Sequence, residues 1–147
     1  MRTDNRPIIL VEDNESDADV ARRAIARSAG DHRFIVIDDG ATAAEVLLRD
    51  HSHATQPEPC LVMIDINLPG LDGIELLTRI RKHPRLCNVS VVIVSSSMEE
   101  SDIRRAYGRG ANSYVTKPVD NRALQSLYAS VANYWTLTNI ACPTTAG

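Results

Sequence analysis

Five short apolar runs alternate along the chain with segments of helical periodicity, and this alternation constrains the fold more than any other feature. Each run is too short for an independent helix and suits a strand that is covered on both faces. The predicted strands span residues 7–11, 34–37, 61–64, 89–94 and 113–116. Such a pattern predicts an α/β fold, a doubly wound parallel sheet with helices on both faces and right-handed crossovers.

The segments between the runs carry the start and stop signals of helices. Helices are predicted from Asn14 to a stop at Gly30, over 41–49, 73–82 and 99–107, and from Asp120 or Asn121 to about Trp135. The 147 residues fit one domain. We therefore expect a domain over 1–137, a flexible C-terminal tail over 138–147, and no output domain.

Composition excludes several classes of function. A net charge of −3 offers no basic surface for nucleic acid. No apolar run approaches the roughly 18 residues of a membrane span, and the N-terminus lacks a signal-peptide pattern. Three irregularly spaced cysteines, Cys60, Cys87 and Cys142, suit a reducing compartment. We expect a cytoplasmic protein that binds neither membrane nor nucleic acid directly.

Polar residues follow four of the predicted strands. Glu12 and Asp13 follow the first, Asp65 the third, Ser95 the fourth and Lys117 the fifth. Because the carboxyl ends of such strands share one edge of the sheet, these side chains should converge. Three clustered acids repel one another unless a hard divalent cation such as Mg²⁺ neutralises them. The ammonium and the hydroxyl would then be free to meet an anion.

This set of groups suits phosphoryl transfer onto a carboxylate, with Asp65 as the nucleophile that forms an aspartyl phosphate. Each residue alone has a plain alternative. Lys117 could be a solvated surface lysine, Ser95 a turn residue, and the acids could cap turns or helices. Their joint placement at the ends of four separate strands favours the site.

The motifs resemble the receiver domain of two-component response regulators from residue 7 to about residue 135. They are Val11-Glu12-Asp13-Asn14, Asp65 with Leu68-Pro69-Gly70-Leu71-Asp72-Gly73, Ser95-Ser96, and Tyr114-Val115-Thr116-Lys117-Pro118. The resemblance implies the flavodoxin-like strand order 2-1-3-4-5. It also implies a switch rather than an enzyme, in which Asp65 takes a phosphoryl group from a phosphohistidine of a sensor kinase.

The resemblance further implies roles for single residues. Glu12, Asp13 and Asp65 would hold Mg²⁺ with the backbone carbonyl of Asn67, and Ser95 and Lys117 would bind the phosphoryl oxygens. Ser95 and Tyr114 would move as a switch, although simple strand packing is the alternative for Tyr114. Because receiver domains commonly carry a cis peptide at the position of Lys117-Pro118, a cis bond is expected there.

A narrower resemblance connects the chain to stand-alone regulators of phytochrome-type histidine kinases. It depends on residues 111–114 and 117–120 and on Tyr134-Trp135. It implies a homodimer through the fourth helix, fifth strand and fifth helix, extended by the C-terminal segment. Tyr134 and Trp135 would then lie in the interface, because large aromatic residues often anchor such contacts. Alternatively, Trp135 packs on its own sheet.

Two other functions compete with this interpretation. A Mg²⁺-dependent phosphohydrolase of the haloacid dehalogenase kind also uses an aspartate nucleophile, but usually on its first strand with a second aspartate two residues later. Here Asp65 follows the third strand and Asn67 fills that place. The other alternative is a receiver-like module that binds partners without phosphorylation.

His51 and His53 suggest a metal site, but a solvated loop fits them better.

Overall fold

The computed structural model describes residues 6–28, 32–49 and 58–143. Its strands are β1 (Ile8–Val11), β2 (Phe34–Ile37), β3 (Leu61–Ile64), β4 (Ser90–Ser95) and β5 (Ser113–Thr116). Its helices are α1 (Glu15–Ser28), α2 (Gly40–Leu47), α3 (Gly73–Lys82), α4 (Glu100–Gly108) and α5 (Asn121–Asn133), and a π-helical turn over Tyr134–Thr138 extends α5. All strand pairs are parallel and the order is β2-β1-β3-β4-β5, which confirms the predicted fold.

Alternate strand residues supply two separate cores. Ile9, Val62 and Ile93 belong to the core that also contains residues of α2, α3 and α4. Leu10 and Met63 belong to the opposite core, which contains residues of α1 and α5. The strands β1, β3 and β4 are buried along their whole length. This two-sided burial explains why their sequences are continuous apolar runs without polar alternation.

The ends of some helices and strands differ from the predicted ends by one or two residues. The helix α2 ends at Leu47 rather than at residue 49, and β4 begins at Ser90 rather than at 89. The predicted stop at Gly30 and the histidines His51 and His53 lie outside the described residues. Within the described ranges, every helix is too short or too polar to cross a bilayer.

The expected cis peptide at Lys117-Pro118 was wrong. No peptide bond among the described residues is cis. The trans isomer of a bond before proline is favoured by about 0.5–1 kcal/mol, so a cis bond forms only where the surroundings require it.

Candidate functional site

The acids after β1 and β3 meet at the carboxyl edge of the sheet. One oxygen from each of Glu12, Asp13 and Asp65 can be chosen so that all three lie within 4.8 Å of one another. Glu12 is 1% exposed and Asp65 7% exposed, whereas Asp13 is open to solvent. Three carboxylates at this separation suit a hard divalent cation, and the open side leaves room for the waters that such an ion retains. The donor set therefore fits a divalent metal.

Lys117 extends from the end of β5 into this group of acids. Its Nζ donates hydrogen bonds to Glu12 Oε1, to Asp65 Oδ2 at 2.9 Å and to Asp17 Oδ2 at 2.9 Å. The lysine side chain is only 7% exposed. An ammonium has three donors, so each of them is matched with a carboxylate. Lys117 is the counter-ion of the acids in this structure.

Burial and charge act in opposite directions on the pKa of Lys117. Burial favours the neutral amine, but the hydrogen bonds to Glu12, Asp65 and Asp17 outweigh it and hold the pKa of Lys117 above its usual value. Burial also raises the pKa of Glu12 to about 7, with the hydrogen bond from Lys117 opposing the shift and the charge of Asp65 adding to it. Near neutral pH, Lys117 is therefore charged and Glu12 lies close to the midpoint of its titration.

Asp17 is the part of this network that the sequence analysis missed. The sequence places it only within the helix predicted from Asn14 onward. In the structure its carboxylate reaches Lys117 from the first turn of α1, which begins shortly after the end of β1. A signal was available, because the first turn of a helix that follows a strand in such a fold lies beside the same sheet edge.

The backbone holds Asp65 rigidly. Its N–H donates to the carbonyl of Val11 at 3.1 Å, and the N–H of Asn67 donates to Asp65 Oδ1 at 3.3 Å. The chain then turns back, so that the N–H of Gly73 reaches the carbonyl of Ile66 at 2.9 Å. A Cβ on Gly73 would lie 2.1 Å from the Asp65 carbonyl oxygen, so only glycine permits this approach. The metal contact of the Asn67 carbonyl stays a prediction.

Ser95 lies beside Lys117 at the end of β4. It is fully buried, and its carbonyl accepts a hydrogen bond of 2.8 Å from the N–H of Lys117. Its hydroxyl oxygen accepts from the N–H of Ser97 at 3.1 Å. The two strand ends are thereby fixed side by side, as the sequence predicted.

Ser97 connects the site to Tyr114 and to α4. Its carbonyl accepts from the Tyr114 hydroxyl at 2.8 Å, and its own hydroxyl donates to Asp102 Oδ2 at 2.6 Å. Tyr114 is partly buried and packs against the core beneath α3 and α4. Hydrogen bonds of Ser97 therefore connect Ser95 with Tyr114 and with α4.

Tyr134 and Trp135 lie away from the acids, in the turn that extends α5. Their rings meet edge to face, with centroids 5.0 Å apart and an interplanar angle of 86°. Trp135 is partly buried and packs against the core beneath α1 and α5, which is the alternative that the sequence left open. Tyr134 remains half exposed, and Leu137 and Ile140 beyond it are exposed by 71% and 94%.

Comparisons with known proteins agree with this geometry. The protein-family model described as the response regulator receiver domain matches residues 8–129 of this chain. Response regulator Rcp1 of Synechocystis sp. is 31% identical over 128 residues, which are 87% of each chain. The probable methanogenesis regulatory protein FilR2 of Methanothrix harundinacea is 35% identical over 128 residues, 87% of this chain and 82% of FilR2.

Solved structures give the same result. The crystal structure of the phosphorylated cyanobacterial phytochrome response regulator RcpA matches with a TM-score of 0.88 at 31% identity, over 95% of this chain and 100% of that one. The Mn²⁺-bound form of Rcp1 matches with a TM-score of 0.86 at 30% identity, over 94% of this chain and 99% of that one.

Proposed function

The chain belongs to the family of response regulator receiver domains, and from this premise we propose that Asp65 accepts a phosphoryl group from a sensor histidine kinase. The convergence of Lys117 with Glu12, Asp13 and Asp65 at one sheet edge carries the proposal. The chain would then be a signalling switch, whose state depends on whether the Asp65 carboxylate is phosphorylated.

The chemistry follows from the positions of these groups. An oxygen of Asp65 forms a bond to phosphorus as the bond between phosphorus and the kinase histidine breaks. Lys117 exchanges a carboxylate partner for a phosphoryl oxygen, and the Ser95 hydroxyl donates to a second one. Glu12, Asp13, Asp65 and the Asn67 carbonyl would hold Mg²⁺, which supplies positive charge for the equatorial oxygens when bound.

We propose a phytochrome-type kinase as the donor, since RcpA, which resembles this chain over nearly its whole length, is described as a cyanobacterial phytochrome response regulator. The test mixes the purified protein and Mg²⁺ with each phosphorylated histidine kinase of its host and compares initial rates of label loss. The phytochrome-type kinase should lose label fastest. A faster kinase of another type would overturn this pairing, and transfer from none of them would overturn the function itself.

The position of Asp65 argues against a phosphohydrolase. It follows β3, the middle strand of the sheet, and the residue two positions later is Asn67, which cannot serve as an acid or base. Steady turnover of small phosphate esters in the absence of any kinase would instead favour that enzyme.

Magnesium affinity should depend on pH because Glu12 has a pKa of about 7 in the cation-free protein. Below that pH the ion must displace a proton from the carboxylate, and above it no proton is displaced. We expect the association constant to rise about tenfold between pH 6 and pH 8, with about one proton released per ion at the lower pH.

Isothermal titration calorimetry in two buffers of different ionisation enthalpy measures both the affinity and the protons released. Glu12→Gln provides the control, since its weaker binding should lose most of this pH dependence. An affinity that is constant from pH 6 to pH 8 in the wild type would contradict the prediction.

We propose that two copies of the chain associate through α4, β5 and α5 together with the segment after α5. The exposed apolar side chains of Val119, Leu137 and Ile140 support this proposal. Tyr134 and Trp135 would lie at the edge of that surface.

The double variant Leu137→Ser, Ile140→Ser should dissociate more readily, because it removes apolar area that dimerisation would bury. We expect its dimer dissociation constant to rise by at least about tenfold, measured by size-exclusion chromatography with light scattering. Arg79→Ser, on an exposed position of α3, is the control. A wild-type protein that is monomeric at high micromolar concentration would refute the dimer.

A further inference from the structure

The Lys117 ammonium has one partner that does not belong to the acidic group that fits a metal. Asp17 Oδ2 lies 2.9 Å from Lys117 Nζ, and its side chain is 23% exposed. The oxygens that can surround one cation come from Glu12, Asp13 and Asp65, and Asp17 is not among them. Lys117 therefore bridges the cation site and a carboxylate outside it.

Lys117 and a divalent cation compete for the same oxygens. Lys117 donates to Glu12 and Asp65, and these two acids also belong to the metal-ligand group. A cation held there takes the negative charge of both acids and repels the ammonium. The ammonium is on a side chain with only 7% exposure, and a buried charge without a partner is costly. Asp17 is the carboxylate that remains available to it.

We propose that Asp17 is a positioning residue, which retains the Lys117 ammonium beside Asp65 while a cation occupies the acidic group. The Asp17 carboxylate lowers the cost of displacing Lys117 from Glu12 and Asp65, so cations bind more readily. It also keeps the ammonium close enough to Asp65 to meet a phosphoryl oxygen there. The second effect depends on the proposed function, whereas the effect on cation binding does not.

The first test measures Mg²⁺ binding by calorimetry in Asp17→Asn and in Asp19→Asn. Asp19 lies in the same helix, is 54% exposed and pairs with Arg22. Asp19→Asn is therefore the control, since it removes the same charge from a position that does not contact Lys117. Since a charge-assisted hydrogen bond is lost, we expect the Mg²⁺ dissociation constant to rise about tenfold in Asp17→Asn and less than about twofold in Asp19→Asn. Equal effects of the two substitutions would overturn the proposal.

A double-mutant cycle asks whether Asp17 acts through Lys117. In a Lys117→Met background, Asp17→Asn should change the Mg²⁺ dissociation constant by less than about twofold. A loss as large as in the wild-type background would mean a general charge effect and would overturn the proposal.

Asp17→Glu provides a second test, which does not depend on whether Lys117→Met folds. It restores a carboxylate and should bind Mg²⁺ within about threefold of the wild type, and a loss equal to that of Asp17→Asn would overturn the proposal.

Phosphoryl uptake from a small phosphoryl donor at saturating Mg²⁺ tests the second effect. We expect Asp17→Asn to react about tenfold more slowly than the wild type and Asp19→Asn to react at the wild-type rate. A wild-type protein that binds Mg²⁺ yet takes up no phosphoryl group would overturn the proposed function and leave the result on cation binding standing. A rate in Asp17→Asn equal to that of Asp19→Asn would overturn the positioning of Lys117.

Discussion

Asp65→Asn should take up no phosphoryl group, either from a phosphorylated histidine kinase or from a small phosphoryl donor. The amide keeps the shape of the side chain but has no anionic oxygen to attack phosphorus. It also removes one of the three carboxylates that fit the cation. Because the change lowers the negative charge of a crowded acidic group, the variant should still fold, and the loss should be one of chemistry.

Label transfer with an assay of the linkage measures this outcome. An acyl phosphate on Asp65 is cleaved by hydroxylamine, whereas a phosphate ester on a neighbouring serine is not. Asp38→Asn is the matched control, because Asp38 also follows a strand directly, at the exposed end of β2, but is not part of the acidic group. Label on Asp65→Asn, or label that resists hydroxylamine in the wild type, would contradict the assignment of the phosphoacceptor.

The sheet and the placement of the site were predictable because both follow from strand position. A continuous apolar run such as Leu61 to Ile64, in a chain where strands and helices alternate, predicts a strand buried on both faces in a parallel sheet. The residue after it must then emerge at the edge where neighbouring strands also end. Glu12, Asp65, Ser95 and Lys117 needed no further information, since each comes immediately after a strand or forms its last residue.

The partners of these residues were less predictable because they depend on helix rotation and side-chain reach. Asp17 contacts Lys117 from the first turn of α1, a helix that packs against α5. Likewise, the link from Tyr114 to Ser97 depends on the path of the loop after β4. Hydropathy places such residues on an element, but it does not fix which polar atom a long side chain reaches. One prediction was within reach of the sequence. Lys117 is the single cation predicted among several acids at this sheet edge, so an ion pair between Lys117 and those acids could have been expected.

Lys117→Met should lower the free energy of unfolding by about 3 kcal/mol in the absence of divalent cations at pH 8, because removal of one member of a buried ion group leaves its partners uncompensated. The methionine keeps much of the apolar stem, so the loss of charge dominates. Glu12 is almost fully buried, and without the ammonium its pKa should rise further above the value of about 7 that it has in the wild type.

The destabilisation of Lys117→Met should therefore depend on pH with a definite sign. A carboxyl group whose pKa is higher in the folded than in the unfolded protein binds more protons when folded, so stability falls as pH rises from the unfolded value through the folded one. The variant should accordingly lose most stability at pH 8 and less at pH 5. Mg²⁺ should recover part of the loss at pH 8, since it binds the folded acids and replaces the missing positive charge.

Urea denaturation at both pH values, with and without Mg²⁺, measures these effects. Lys82→Ala, at an exposed position in the last turn of α3, is the control and should change stability by no more than about 0.5 kcal/mol. A Lys117→Met variant as stable as the wild type at pH 8 without Mg²⁺ would show that the acids do not need this counter-ion. Recovery by Mg²⁺ would instead show that ammonium and metal neutralise the same carboxylates in turn. Under the proposed function, that exchange would free Lys117 to meet a phosphoryl group once a cation is bound.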